Sequence, residues 1–266
     1  MTTQHDAKTI KDAVRERYGQ RAQSHLATLE EPVIPLIDAS GGEADCCGPE
    51  APGEDQVKAV KAFYEGADTS DLPNTVTDAS LGCGNPTAIA ELRAGETVLD
   101  LGSGGGIDCF IAAKAVGPAG HVIGVDMTDE MLELATSNAT RIGVANVEFR
   151  KGEIEHLPVD GDSVDVIISN CVINLSADKG EVLAEAFRVL KPGGRFRVSD
   201  IVLTRELNAE ESTSLAEWAG CVAGALQRDE FASELEAAGF EAISVELQNE
   251  WRDGVHSADI TAVKPA

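Results

Sequence analysis

The chain has 266 residues, 43% of them hydrophobic, with 21 Lys plus Arg against 46 Asp plus Glu and a formal charge of −25. That composition supports one large domain, or one domain with an appendage, and a surface this acidic repels nucleic acid and anionic lipid. The largest basic grouping, Arg195 and Arg197 beside Lys191, is too small to reverse the field; no run of 18 apolar residues is present to cross a bilayer, and the polar residues 1–11 lack a signal peptide's apolar stretch.

Residues 6–29 read as a charged helix with Val14, Tyr18 and Arg21 on one face. Residues 39–55, ASGGEADCCGPEAPGED, read as a loop carrying adjacent Cys46 and Cys47. Residues 57–65 can form a short helix, and 72–86 read as irregular, ending in the turn LGCGNP that holds Cys83. A regular alternation follows. Strand 97–101 leads to helix 107–116, stopped by Gly117-Pro118; strand 121–125 leads to helix 129–142, with Thr128 as N-cap. Strands at 147–150 and 164–169 precede helix 180–190, closed by Lys191-Pro192-Gly193-Gly194, and strand 195–202. Helices 212–226 and 229–238 and strands 242–247 and 257–263 complete the chain. Such alternation predicts an α/β fold with a mostly parallel sheet covered by helices on both faces. Three parts are expected: an N-terminal helical and loop extension over 1–75, a nucleotide-binding core over 76–205, and C-terminal helices with closing strands over 206–266.

Residues 98–106 read VLDLGSGGG, a buried strand running into a glycine loop before a helix. Glycine there lets backbone N–H groups approach a ligand with no Cβ in the way, and some positions need positive φ. Asp126 lies 20 residues beyond Gly106 at the end of the second strand, where an acid grips ribose hydroxyls. The plain alternative is a tight strand–helix turn with a surface Asp. A dinucleotide fingerprint would need glycine at 107, which is Ile107.

DLGSGGG instead resembles motif I of the class I S-adenosylmethionine-dependent methyltransferases. GVDMT (124–128), GEIEHLP (152–158) and RVLKPGG (188–194) follow in that family's order. The resemblance implies a Rossmann-like fold with a seven-stranded sheet. It implies S-adenosyl-L-methionine as cofactor, with Asp100 near its methionine part and Gly102, Ser103, Gly104 and Gly106 in the loop. Asp126 would hold the ribose, Met127 would pack on adenine, and Glu153 or Ile154 would serve the adenine edge. Asn170 and Asn174 flank Cys171 and either orient the cofactor or cap turns.

The sequence offers no His or Lys base beside these motifs. His121 starts the second strand on the far edge, and His156 reads as a solvated loop residue. It does offer thiols, and with no secretory signal read in residues 1–11 the protein is expected in the cytoplasm, where thiols stay reduced. The six cysteines therefore read as core residues, ligands or chemistry, not as a disulfide framework. Cys83 sits before the first strand, Cys171 just past the fourth, and Cys221 in a segment expected to be helical. Soft thiolates select soft ions and thiophilic metalloids. Cys109 reads as a core residue.

ASLGCGNP, SNCVINLS, GCVAGA and VRERYG resemble segments of the arsenite methyltransferases of bacteria and archaea, a likeness running from about Val14 to Gly239. It implies that Cys83, Cys171 and Cys221 bind As(III) or supply reducing thiols. An N-terminal cysteine, Cys46 or Cys47, would join them through a disulfide during turnover. It also implies arsenite as substrate, a C-terminal arsenic-binding elaboration, and a thioredoxin or small-thiol reductant; a monomer is the default. Two other readings stay open: a methyltransferase for a small organic acceptor with structural cysteines, and a metalloid sensor without catalysis. The dispersed acids and scarce Lys resemble proteins of salt-loving organisms, where screening removes self-repulsion.

Overall fold

Strand β1 (Thr97–Leu101) has four of its five residues buried, the pattern of a strand covered on both faces. The same holds for β2 (His121–Asp126) and β4 (Val164–Asn170), each with most of its residues buried. The computed structural model describes residues 6–30, 64, 72–77, 82–214, 216, 218 and 220–266. The readings of loop 39–55 and helix 57–65, and with them Cys46 and Cys47, lie outside the described residues apart from Tyr64.

With β3 (Val147–Lys151), β5 (Leu190–Leu203), β7 (Glu241–Arg252) and β8 (Val255–Val263), the sheet runs in the order β3-β2-β1-β4-β5-β8-β7. Pairing is parallel from β3 to β5; β8 lies antiparallel to β5, and β7 antiparallel to β8. The seven expected strands are there, and a two-residue eighth, β6 (Leu226–Gln227), pairs with the end of β5. The strand order reverses between β1 and β4, so the crevice beyond their carboxyl ends is where a ligand binds in this class of sheet.

The helix Asp129–Ile142 buries Met131, Leu134, Ala135 and Asn138, a stripe at helical spacing, and ends at Gly143 with φ 71°. The helix Ile107–Val116 is buried on nearly every side. The N-terminal helix Ala7–Glu30 lies across the carboxyl edge of the sheet: Ala22 packs with Met131 and Leu134, and Ile10 and Val14 join a cluster around the cysteines.

Three sequence expectations need correction. Residues 72–86 are not wholly irregular: Asn74–Thr77 and Pro86–Ile89 are short helices, the second capped by the Asn85 side chain accepting the Ala88 N–H. The strand expected over 195–202 begins earlier, taking in the Lys191–Gly194 segment that closes the preceding helix and the residue before it. Gly193 takes φ 77°, the register against β4 shifts, and Gly193 and Gly194 bond reciprocally with Lys264, so β5 begins at Leu190. Residues 212–226 do not form one helix. Ala209–Thr213 is a short capped helix, Ser214 is extended, and Cys221 sits at φ 68°, a left-handed conformation no helix interior allows. Among the described residues no helix is long and apolar enough to cross a membrane.

Candidate active site

The glycine loop leaves β1 and is tied at once to β2: the Gly102 and Ser103 N–H groups both donate to the Val125 carbonyl, at 2.8 and 3.0 Å. The Gly104 N–H donates to one Asp126 oxygen at 3.0 Å and the Thr128 N–H to the other at 2.8 Å. Burial pushes the Asp126 carboxyl up, and those two N–H groups pull it back. Gly106 is required twice over, by φ 94° and by the Phe110 ring, 2.7 Å from where a Cβ would stand. The loop edges a cavity of about 110 Å³. Of the residues expected to hold cofactor, Gly102, Ser103, Gly104, Asp126, Met127, Ile154 and Asn170 line it and Gly106 does not. The Ser103 hydroxyl on this wall is buried with no hydrogen-bond partner among the described residues.

Two other expected cofactor residues lie off the wall. Asp100 is buried beneath the loop, where it accepts the Cys109 thiol at 3.2 Å. Cys109 is buried in the core, as read, and has this additional contact. Glu153 faces the N-terminal helix, pairing with Lys11 and Arg15 at 2.7 Å each. The acid that does line the cavity is Asp108, which sequence reasoning missed. An acid in a helix's first turn is ordinarily a dipole partner in solvent, so its spacing gave no signal. Asp108 is buried and accepts the Tyr64 hydroxyl at 3.0 and 3.1 Å and the Asn170 amide at 3.3 Å. Burial pushes its carboxyl up to about 6, against those two donors. Burial and then the Asp108 charge push Asp100 well up too. Neither acid forms an ion pair with a described residue.

Cys83, Cys171 and Cys221, 88 and 50 residues apart along the chain, meet in one buried apolar cluster with Ile10, Val14, Leu175, Ile201 and Leu203. Cys171 also lines the cavity. Asn170 brings Cys83 in: its carbonyl oxygen accepts the Cys83 and Gly84 N–H groups at 2.9 and 3.3 Å, and its amide donates to the Gly84 carbonyl at 2.9 Å. Cys171, at φ 59°, donates its N–H to Ser199 at 2.8 Å. The Cys221 thiol donates to the Cys171 carbonyl at 2.8 Å. Burial, then the Asp200 charge, push that thiol well above its ordinary value, with Arg17 and the Tyr18 hydroxyl pulling the other way.

The expectation of reduced, unlinked cysteines is corrected here. Cys83 and Cys171 form a disulfide, with Cα atoms 5.9 Å apart. The physical reason is the Asn170 clamp, which seats the Cys83 loop against the residue preceding Cys171. Cys109 and Cys221 are free. The sequence reading also missed Asp200. The sulfurs of Cys83 and Cys171 and an Asp200 oxygen lie within 4.8 Å of one another, all buried. Burial pushes the Asp200 carboxyl up to about 7, against the N–H groups of Ile201 and Asn174. Asn174, whose role the sequence left open, donates its amide to Asp200 at 2.8 Å and to the Ile201 carbonyl at 2.6 Å.

Residues 92–239 match the family model of a methyltransferase domain. A Halobacterium salinarum protein named arsenite methyltransferase is 42% identical to this chain, covering 100% of it and 69% of its own length. Arsenite methyltransferases of Aquipseudomonas alcaligenes and Homo sapiens are 48% and 42% identical over 56% and 60% of this chain; the aligned stretches make up 45% and 44% of those proteins. The crystal structure of an arsenic(III) S-adenosylmethionine methyltransferase from Chlamydomonas reinhardtii superposes with a TM-score of 0.62 at 36% identity, covering 78% of this chain and 73% of that one.

Proposed function

The chain belongs to the arsenite methyltransferase family, within the class I S-adenosylmethionine-dependent methyltransferases, and we propose that it methylates trivalent arsenic held by cysteine sulfur. The observation that carries this reading is the convergence of Cys83, Cys171 and Cys221 on one buried cluster that abuts the glycine-loop cavity through Cys171.

The cavity suits S-adenosylmethionine chemically. Asp108 on the cavity wall, with Asp100 buried beneath the loop, offers acid without a basic partner among the described residues to a ligand that carries positive charge, and Ser103 lines the same cavity. Asp126 retains lone pairs for ribose hydroxyls, and Met127 and Ile154 offer apolar surface for adenine. When bound, the cofactor supplies a methyl on a sulfonium, which an arsenic lone pair accepts without a base.

The residues then divide the work. In the reduced protein, three thiols exchange protons for arsenic as arsenite's three hydroxyls leave as water. Cys83, Cys171 and Cys221 thus hold a trigonal-pyramidal centre and keep its lone pair free. Because the three thiol protons leave in water with the arsenite hydroxyls, binding releases no net proton. Ile10, Val14 and Leu175 exclude water from the site. Positioning supplies the acceleration, because nothing must be deprotonated at the methyl-transfer step. Methylation leaves arsenic pentavalent. Two electrons from the Cys83 and Cys171 thiolates return it to the trivalent state and form the S–S bond between them. A thioredoxin or small thiol then reduces that bond, and Cys46 or Cys47 relays it. The enzyme acts as a cytoplasmic monomer in arsenic detoxification.

The test incubates reduced protein with arsenite, methyl-labelled cofactor and a dithiol. Labelled methylarsenicals are expected from wild type, and a loss of about a hundredfold or more from Cys171→Ser and Cys221→Ser. Arsenite binding without labelled product marks a sensor. Unchanged turnover of an organic acceptor by the Ser variants marks structural cysteines.

A further inference from the structure

The cysteine cluster includes one ligand that a three-sulfur arsenic site has no use for. Asp200 is buried, and its carboxylate stands within 4.8 Å of both the Cys83 and Cys171 sulfurs. Backbone N–H groups and one amide orient it. One oxygen accepts the Asn174 amide and the Ile201 N–H, both at 2.8 Å, the other accepts the Asn174 N–H at 3.3 Å, and the Ile173 N–H also bonds to the carboxyl. Hydrogen bonds of this kind, from outer partners, are how a carboxylate is oriented toward a metal ion.

We propose that, once the Cys83–Cys171 disulfide is reduced, Cys83, Cys171 and Asp200 bind a divalent cation of the Zn²⁺ or Cd²⁺ class, which competes with arsenite for two of its sulfurs. The two occupants differ in what they ask of the site. Trivalent arsenic keeps a lone pair and is satisfied by three soft sulfurs, so Asp200 is idle toward it. A d¹⁰ divalent ion has no lone pair and takes four ligands, and it accepts thiolate and carboxylate together. With bonds of about 2.0–2.3 Å, tetrahedral ligand atoms sit roughly 3.3–3.8 Å apart. The two sulfurs must therefore part once their bond is reduced, and the Asp200 oxygen must close on them by no more than about 1.5 Å, both within reach of side-chain rotation. Cys221, whose sulfur already contacts the Cys171 carbonyl, or a water fills the fourth position. Two thiols release two protons to solvent on binding. Two thiolates and one carboxylate then carry −3 against +2, a smaller buried charge than the ligands alone.

This site requires neither cofactor nor methyl transfer, so its failure would leave the methyltransferase reading standing. The experiment uses the full chain, reduced with a phosphine that is oxidised as the S–S bond becomes two thiols, then desalted without oxygen. Cd²⁺ is titrated by thiolate-to-metal absorbance, and Zn²⁺ by competition with a chromogenic chelator. One equivalent of each is expected, with none taken up by the oxidised protein. Asp200→Asn should weaken Zn²⁺ by about tenfold or more and move arsenite affinity by less than about threefold. X-ray absorption of Zn²⁺-loaded wild type should report sulfur together with a light-atom ligand, a readout that holds whether or not the variant folds. No stoichiometric uptake, equal uptake by oxidised protein, an all-sulfur or sulfur-free shell, or Asp200→Asn affecting both ions alike or neither, would overturn the proposal.

Discussion

Asn170→Ala probes how the site is assembled. The wild-type side chain makes three hydrogen bonds of 3.0 Å or less, with the Cys83 N–H, the Gly84 carbonyl and the Tyr64 hydroxyl, and two more at 3.3 Å. At about 1 kcal/mol net each, the two of these that reach the Cys83 loop sum to roughly 2 kcal/mol. Those two hold one loop against the end of β4, so the loss falls on local docking more than on global stability. At 1.4 kcal/mol per tenfold, the docked population of Cys83 falls by up to about thirtyfold. Reduced Asn170→Ala should therefore bind arsenite about 10- to 30-fold more weakly, measured by titration with quenching of the thiols. In the oxidised protein the disulfide replaces the clamp, so the melting temperature should fall less there than in the reduced protein. Arsenite affinity of reduced Asn170→Ala within twofold of wild type would refute the reasoning.

The Asp108 carboxyl, raised to about 6 by burial, should make cofactor binding pH-dependent: a cationic ligand favours the carboxylate, so affinity for S-adenosylmethionine, read by calorimetry, should rise as pH climbs through 6, and Asp108→Asn should flatten the curve. The sign for the ligand-free fold is opposite. Asp108 and Asp200, raised from 3.8 to about 6 and about 7, bind protons more tightly folded than unfolded, so their contribution is fully present below about pH 4 and is lost as pH rises through 6 and 7; denaturant melts of wild type and Asp200→Asn between pH 5 and 8 check it. With Cys46 and Cys47 both replaced by Ser, denatured protein should expose two reactive thiols, Cys109 and Cys221, before reduction and four after it; four at the outset would exclude the disulfide. Glu153→Gln removes two partly exposed ion pairs with the N-terminal helix, worth under about 1 kcal/mol each. The melting temperature should drop by only a few degrees, and global unfolding would mean the helix contributes more than those contacts allow.

Features carried by local pattern were legible in the chain itself. Period and turn chemistry marked the strands from Thr97 to Val202, the glycine loop, the acid at Asp126, and the motifs around Cys83, Cys171 and Cys221. Backbone conformation of this kind depends on neighbours a few residues away. The broken helix around Cys221 escaped because its apolar spacing is helical, and the tertiary contact of its thiol with the Cys171 carbonyl outweighs that preference. What only the folded chain decided was juxtaposition across the carboxyl ends of β1, β4 and β5. Asn170 clamping Cys83, the resulting disulfide, Asp200 beside two sulfurs, and Asp108 under the Tyr64 hydroxyl all join residues tens of positions apart. Sheet order and register set those distances. Neither is written in any one segment, because each follows from how all the apolar faces are buried at once.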